Sequence, residues 1–197
     1  EFKKRAEKLF AAASNPNREK VLSEWKSIID MKGDAGRGKQ AFATACIACH
    51  MAEGQGNAIG PDLAAITDRS RNALLVAILD PNRAVEDKFV TWNVKTNAGA
   101  SHLGLVANES ANDFTLRGPD GSELKILRSD IESMSSVGIS LMPEGLEATM
   151  TKPQMADLIT YVASLGAPAK PEPVLSARVG PGGKGIVELR ASKCRFA

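Results

Sequence analysis

Cys46-Ile47-Ala48-Cys49-His50 constrains this chain of 197 residues more than any other part of it. The spacing is C-x-x-C-H, the attachment pattern of c-type haem. On a helix, positions i, i+3 and i+4 share one face. Two thiols so placed can bond the two vinyl groups along one haem edge. The next residue on that face, His50, then lies under the iron as its proximal ligand. From this composition, chance would produce the pattern only about 5 times in ten thousand. The remaining cysteine, Cys194, is far away near the C-terminus, so the chain is no disulfide scaffold.

Two other chemistries use C-x-x-C. A structural zinc site needs four ligands, commonly from paired knuckles, and only His102 and Cys194 could complete one here. A thioredoxin-like redox pair wants a preceding strand within a βαβ unit. Ala35 to Cys46 reads instead as a short helix, with Gly38, Phe42 and Cys46 four residues apart on one face.

Composition agrees with a folded haem protein. Hydrophobic residues make up 43% and charged residues 24%, ordinary values for a globular chain. No apolar run approaches the ~20 residues of a membrane span. Aromatic residues are only 5%, a core short of rings that an apolar haem would complete. Residues 1–32 carry 8 basic and 5 acidic side chains, and residues 167–197 carry 6 and 2. Residues 33–166 carry 11 and 16, so the folded middle is acidic and a nucleic-acid partner is not expected. The opening Glu1-Phe2-Lys3-Lys4 is not a signal peptide, which places any export signal outside this chain.

Thr151 reads as an N-cap, Pro153 as an early helical position, and Gln154 completes a capping box. Met155, Leu158, Ile159, Val162 and Leu165 then form an apolar stripe that Gly166 ends. With the helix before Cys46, the chain here resembles a class I cytochrome c. In that family a Gly and an aromatic on the N-terminal helix cross a C-terminal helix carrying Leu and Tyr. Gly38 and Phe42 match the first pair, Leu158 and Tyr161 the second. Gly38 also has a physical reason, since a missing side chain lets two helix backbones approach closely. Gly60-Pro61-Asp62-Leu63 looks like the Gly-Pro-x-Leu loop of the family. The resemblance implies that the Pro61 carbonyl accepts the other ring N–H of His50, which fixes the tautomer and raises ligand basicity.

The resemblance also implies a sixth iron ligand, usually Met. Met31 precedes the haem helix, Met51 adjoins His50 and cannot reach across the ring, and Met150 and Met155 border or belong to the last helix. Met134 and Met142 remain. The family often places Met-Pro just upstream of the last helix, which points to Met142 in Ser140-Leu141-Met142-Pro143. His102 is the alternative nitrogen ligand, and an open sixth position is the other alternative.

The expected organisation has four parts. Residues 1–32 form an N-terminal helical extension, with one stripe from Phe2 to Ala13 and a second helix starting at Asn15-Pro16. Residues 33–84 and 136–166 form the haem core, with Ser70 capping a helix that runs to Leu79 and ends at Asp80-Pro81-Asn82-Arg83. Residues 85–135 form an inserted β subdomain of four short runs, Phe89–Val94, His102–Ala107, Phe114–Leu116 and Leu124–Leu127, as a meander or small barrel. Residues 167–197 are a Pro-rich linker and tail, in which Ile186 to Arg190 reads as a strand that either opens a further β domain or wraps back. The fold class expected is therefore mainly α. It is a class I cytochrome c fold around one haem, with a small antiparallel β insertion and an N-terminal helical hairpin.

These motifs together resemble a narrower family, the haem-binding domain near the C-terminus of large exported bacterial proteins. The resemblance rests on the C-x-x-C-H motif, Ile59 to Leu63, Ile78 to Arg83, the β insertion, and Ser140 to Leu146. It implies a monohaem electron carrier rather than an enzyme, with one covalent haem c. Cys46 and Cys49 would hold the porphyrin, and His50 and Met142 the iron. It also implies a periplasmic or otherwise exported location and a redox partner protein or fused dehydrogenase domain. The alternative is a haem with an open or labile sixth site, acting as a gas sensor or small peroxidase.

Overall fold

The computed structural model describes residues 16–166. The Phe2–Ala13 stripe, the Ile186–Arg190 run and Cys194 lie outside the described residues. Among the described residues four α-helices surround one core: α1 Pro16–Trp25, α2 Ala35–Ala45, α3 Arg71–Leu79 and α4 Lys152–Ser164. Their ends follow from side chains. Asp34 accepts from Arg37 N–H at the start of α2, and Ser70 from Ala73 N–H at the start of α3. Thr151 and Gln154 close a capping box on α4, with Pro in its first turn. Such caps satisfy backbone donors that the helix leaves free and are worth about 1 kcal/mol each. Ile28, Phe42, Leu74, Leu75, Leu79, Met155, Leu158, Ile159 and Tyr161 are buried together in the core these helices share.

A β-sheet follows α3. Its strands are β3 Val90–Thr96, β4 Ser101–Glu109, β5 Asp113–Arg117, β6 Glu123–Leu127 and β7 Ile131–Ser140. A two-residue pairing near the haem motif supplies β1 Met51–Ala52 and β2 Gln55–Gly56. The large sheet is antiparallel, in the order β6-β5-β4-β3-β7, so the meander stays an open sheet. Val94, Phe114, Leu116 and Ile126 form its own small core, with Trp92 and Met134 packed against it.

The expectation of a mainly α fold is overturned. Among the described residues 38% are helical and 27% are strand, so the fold is mixed α and β. The physical reason is the extent of the five-stranded sheet, to which β7 adds a strand beyond the four expected runs. This ten-residue strand continues through position 135 to Ser140, pairing Val94 with Met134 and Val90 with Ser140. It hydrogen-bonds along the edge of β3 that the four-run meander leaves free.

The crossing of α2 and α4 sets the helical core. Asp157, buried on α4, binds the start of α2. Its carboxylate accepts from Asp34 N–H at 2.6 Å and from Arg37 Nε and Nη2 at 2.7 and 3.0 Å. The Arg37 guanidinium, helped by that backbone N–H, holds the carboxyl below the ordinary aspartate value of 3.8. A pKa lowered by folding stabilises fully above the unfolded value and ceases to as pH falls through the folded one. Asp157→Asn is therefore expected to lower Tm at neutral pH and to flatten the loss of Tm below the ordinary aspartate value. Thermal melts of both proteins across that acid range check this, and an unaltered acid slope counts against it.

Candidate haem site

α2 stops at Ala45, and one further turn carries the motif. Cys49 N–H and His50 N–H both donate to Cys46 O, at 3.0 and 2.9 Å. The three side chains thus come from a turn that continues the helix rather than from the helix itself. The loop 57–63 then folds back on this turn. Asn57 N–H donates to Ile47 O at 3.2 Å, Ile59 and Gly60 N–H to Cys49 O at 3.1 and 2.7 Å, and Leu63 N–H to Met51 O at 2.9 Å. Asn57 Nδ2 adds a bond to Ala48 O at 3.0 Å.

This folding back brings Pro61 to His50. The ring Nδ1 lies 2.9 Å from Pro61 O. A carbonyl oxygen can only accept, so Nδ1 carries the hydrogen, and the neutral ring keeps a lone pair on Nε2. Burial pushes the imidazole below its ordinary 6.5, against a smaller upward pull from the Pro61 bond. Gly60 permits the approach: a Cβ there would stand 2.5 Å from His50 Cε1 and 2.9 Å from Nδ1.

Cys46 and Cys49 are free and half-buried. Burial, with a smaller contribution from Cys49, pushes the Cys46 thiol up to about 11, so it stays protonated at neutral pH. Ile47, Leu63, Ala64 and Ile66 are partly buried apolar neighbours on the same stretch of chain. This donor set fits haem c: two free thiols, one neutral imidazole with an unshared nitrogen, and apolar neighbours. It does not suit zinc. Among the described residues no group of three or more His, Cys, Asp and Glu is placed to hold a metal ion.

Cys46, Cys49, His50 and Pro61 thus share one turn and the loop packed on it. Met142 comes from a separate segment, between β7 and the 3-10 turn Leu146–Thr149. It is half-buried, and its N–H donates to Ser140 Oγ at 3.0 Å. Met134 sits on β7 against the sheet core, and Met155 is fully buried in the helical core. His102 sits on β4 and lines an open cavity of the sheet with Thr96, Lys125 and Asp130.

Sequence reasoning missed three supports. Asn57 ties its own loop to the motif. Arg117 on β5 donates from Nη1 to Ala58 O at 2.7 Å, joining the sheet to the loop that holds Pro61. Asn82 touches the Met142 segment on both sides. Asn57 and Asn82 read as polar residues in loops and Arg117 as a cation on a strand, and none of these local signals names a partner.

The family described as Cytochrome c matches residues 35–103, a span that holds the C-x-x-C-H turn and Pro61 and stops short of Met142. Over 67 residues the chain is 37% identical to a cytochrome c from Stellaria longipes, a stretch covering 33% of this chain and 59% of that relative. The chain thus spans less than two thirds of the length of the curated relative it matches. Both findings support a class I c-type cytochrome domain in this part of the chain. Among the described residues no helix is long and apolar enough to cross a membrane.

Proposed function

We propose that this chain holds one haem c, joined to Cys46 and Cys49, with His50 Nε2 and Met142 Sδ as the protein's iron ligands. It passes electrons one at a time and catalyses no reaction of its own. The observation that carries this reading is His50: a neutral ring, its Nδ1–H given to Pro61 and its Nε2 unshared, on the same turn as the free thiols of Cys46 and Cys49. Bound haem supplies an iron couple that changes by one electron. The protein's residues tune that couple. The Pro61 carbonyl fixes the imidazole and strengthens it as a donor. The thioether of Met142 is a soft ligand that favours the reduced iron and raises the potential. Apolar neighbours limit water near the site.

The exported location follows from the chemistry, since covalent haem attachment is completed outside the cytoplasm. A redox partner protein, or a dehydrogenase domain in the same polypeptide, is the partner that the likeness to domains of large exported proteins suggests. The sensor or peroxidase reading needs a distal acid–base group, and His102 on the sheet is not held toward the His50 turn by any hydrogen bond.

The test is retention of haem. In purified wild-type protein the haem is expected to stay with the chain through acid–acetone extraction and denaturing electrophoresis, as thioether bonds survive both. Haem that washes out would refute covalent attachment. Replacing Cys46 and Cys49 together by Ala should release it.

A further inference from the structure

The segment carrying Met142 lies between Ser140, the last residue of β7, and the 3-10 turn at Leu146. One side chain holds it from both sides. Asn82 Oδ1 accepts from Ser140 N–H at 2.9 Å, and Asn82 Nδ2 donates to Glu144 Oε1 at 2.7 Å. A single amide thus bridges the residues two before and two after Met142. Asn82 is itself well anchored. It follows buried Pro81 in the turn that ends α3, where Arg83 N–H donates to Asp80 O at 3.1 Å and Arg83 Nε to Asp80 Oδ2 at 2.8 Å. The far end of the segment is tied to the same turn through α1. Arg18 donates from Nε to Leu79 O at 2.6 Å and from Nη1 and Nη2 to Glu147 at 2.8 and 3.0 Å.

We infer that Asn82 is a positioning residue for the second iron ligand, clamping the chain on both sides of Met142 so that its sulfur is presented rather than free to leave. The inference rests on the reading of Met142 as that ligand. A thioether is a weak ligand for ferric iron, so its occupancy depends on how much freedom the segment gains when the sulfur departs. A bridge across the segment removes much of that freedom. Asparagine suits the task because one amide both accepts and donates. Loss of both hydrogen bonds should shift the ratio of bound to departed Met142 by about tenfold.

The experiment uses the haem-loaded protein and reads three quantities: carbon monoxide affinity in the ferrous state, the red-edge charge-transfer band in the ferric state, and the reduction potential. Asn82→Ala is expected to raise carbon monoxide affinity about tenfold, weaken the band and lower the potential, with haem content unchanged. Asn82→Asp keeps the acceptor for Ser140 N–H but faces Glu144 with a second carboxylate, so it should fall between Asn82→Ala and wild type. Lys95→Ala, which breaks the Lys95–Glu132 pair on the sheet, should match wild type. Should Asn82→Ala fail to load haem, Glu144→Ala removes only one bond and should raise the affinity a few-fold. If these variants match wild type while Met142→Ala alters all three readouts, the clamp is wrong and the ligand assignment stands. If Met142→Ala alters none, both are wrong.

Discussion

Met142→Ala is expected to abolish the red-edge charge-transfer band of the ferric protein, lower its reduction potential, and open the ferrous iron to carbon monoxide. The sulfur lies in a segment bridged from Ser140 to Glu144 by Asn82, followed by Pro143, whose ring restricts the backbone further. A ligand held in place about 99% of the time leaves about 1% of the iron open, so its removal should raise carbon monoxide affinity about a hundredfold. The potential should fall because the lost thioether favoured the reduced state. Two controls isolate the effect. Met134 is packed against the sheet core, so Met134→Ala should cost about 2–5 kcal/mol of stability at most and leave the band intact. His102→Ala, in the sheet cavity, should change neither spectrum nor potential. Ready binding of carbon monoxide by the wild type would put the open-site reading ahead.

The helices were legible because their ends carry local chemistry. Ser70 and Thr151 cap, Gln154 completes the box, and the apolar stripe of α4 has the helical period. Strands β3 to β6 were legible through β-forming runs separated by turns. β7 was not. Four of its ten residues are Ser, and Gly138 at φ 74° breaks the alternation. It is a strand because β3 offers it a free edge, and pairing of that kind is tertiary context rather than local propensity. Added to the four strands that were legible, it completes a five-stranded sheet, and a fold read as mainly α is a mixed one.

The site divides along the same line. C-x-x-C-H and the Gly-Pro dipeptide are contiguous in the chain, and the turn they build needs only local hydrogen bonds. The contacts made by Asn82 and Arg18 join residues 58 and 129 positions apart. One sequence contains no signal for such partners, whose meeting depends on how the helical core and the sheet are joined. Arg117 makes the same point. On its strand it reads as an exposed cation paired with Glu123, yet it also reaches the carbonyl of Ala58.

The sign of the stability change in Gly38→Ala will tell whether the helix crossing governs the haem core. If Gly38 were only a poor helix former in the middle of α2, Ala would stabilise the protein by about 1 kcal/mol. The structure requires the opposite. A Cβ at Gly38 would collide with the carbonyl oxygen of Asp157 and stand 2.7 Å from Tyr161 Cβ. Both obstacles belong to, or lie next to, the backbone of α4, so no side chain can swing aside. The helices would have to separate, loosening the Phe42–Tyr161 ring contact at 5.7 Å and the burial of Leu158 behind it. Such forced overpacking costs about 1–3 kcal/mol, a large fraction of the ~5–15 kcal/mol that holds a domain together. Gly36→Ala is the matched control on the same helix. A Cβ there meets only the carboxylate tip of Asp34, at 3.2 Å, which can turn aside. It should be neutral or slightly stabilising, while Gly38→Ala lowers the guanidinium midpoint. Because α2 runs directly into the Cys46 turn, Gly38→Ala should also reduce the fraction of chains that acquire haem. Equal, stabilising shifts for both variants would mean that the helices do not need this close approach.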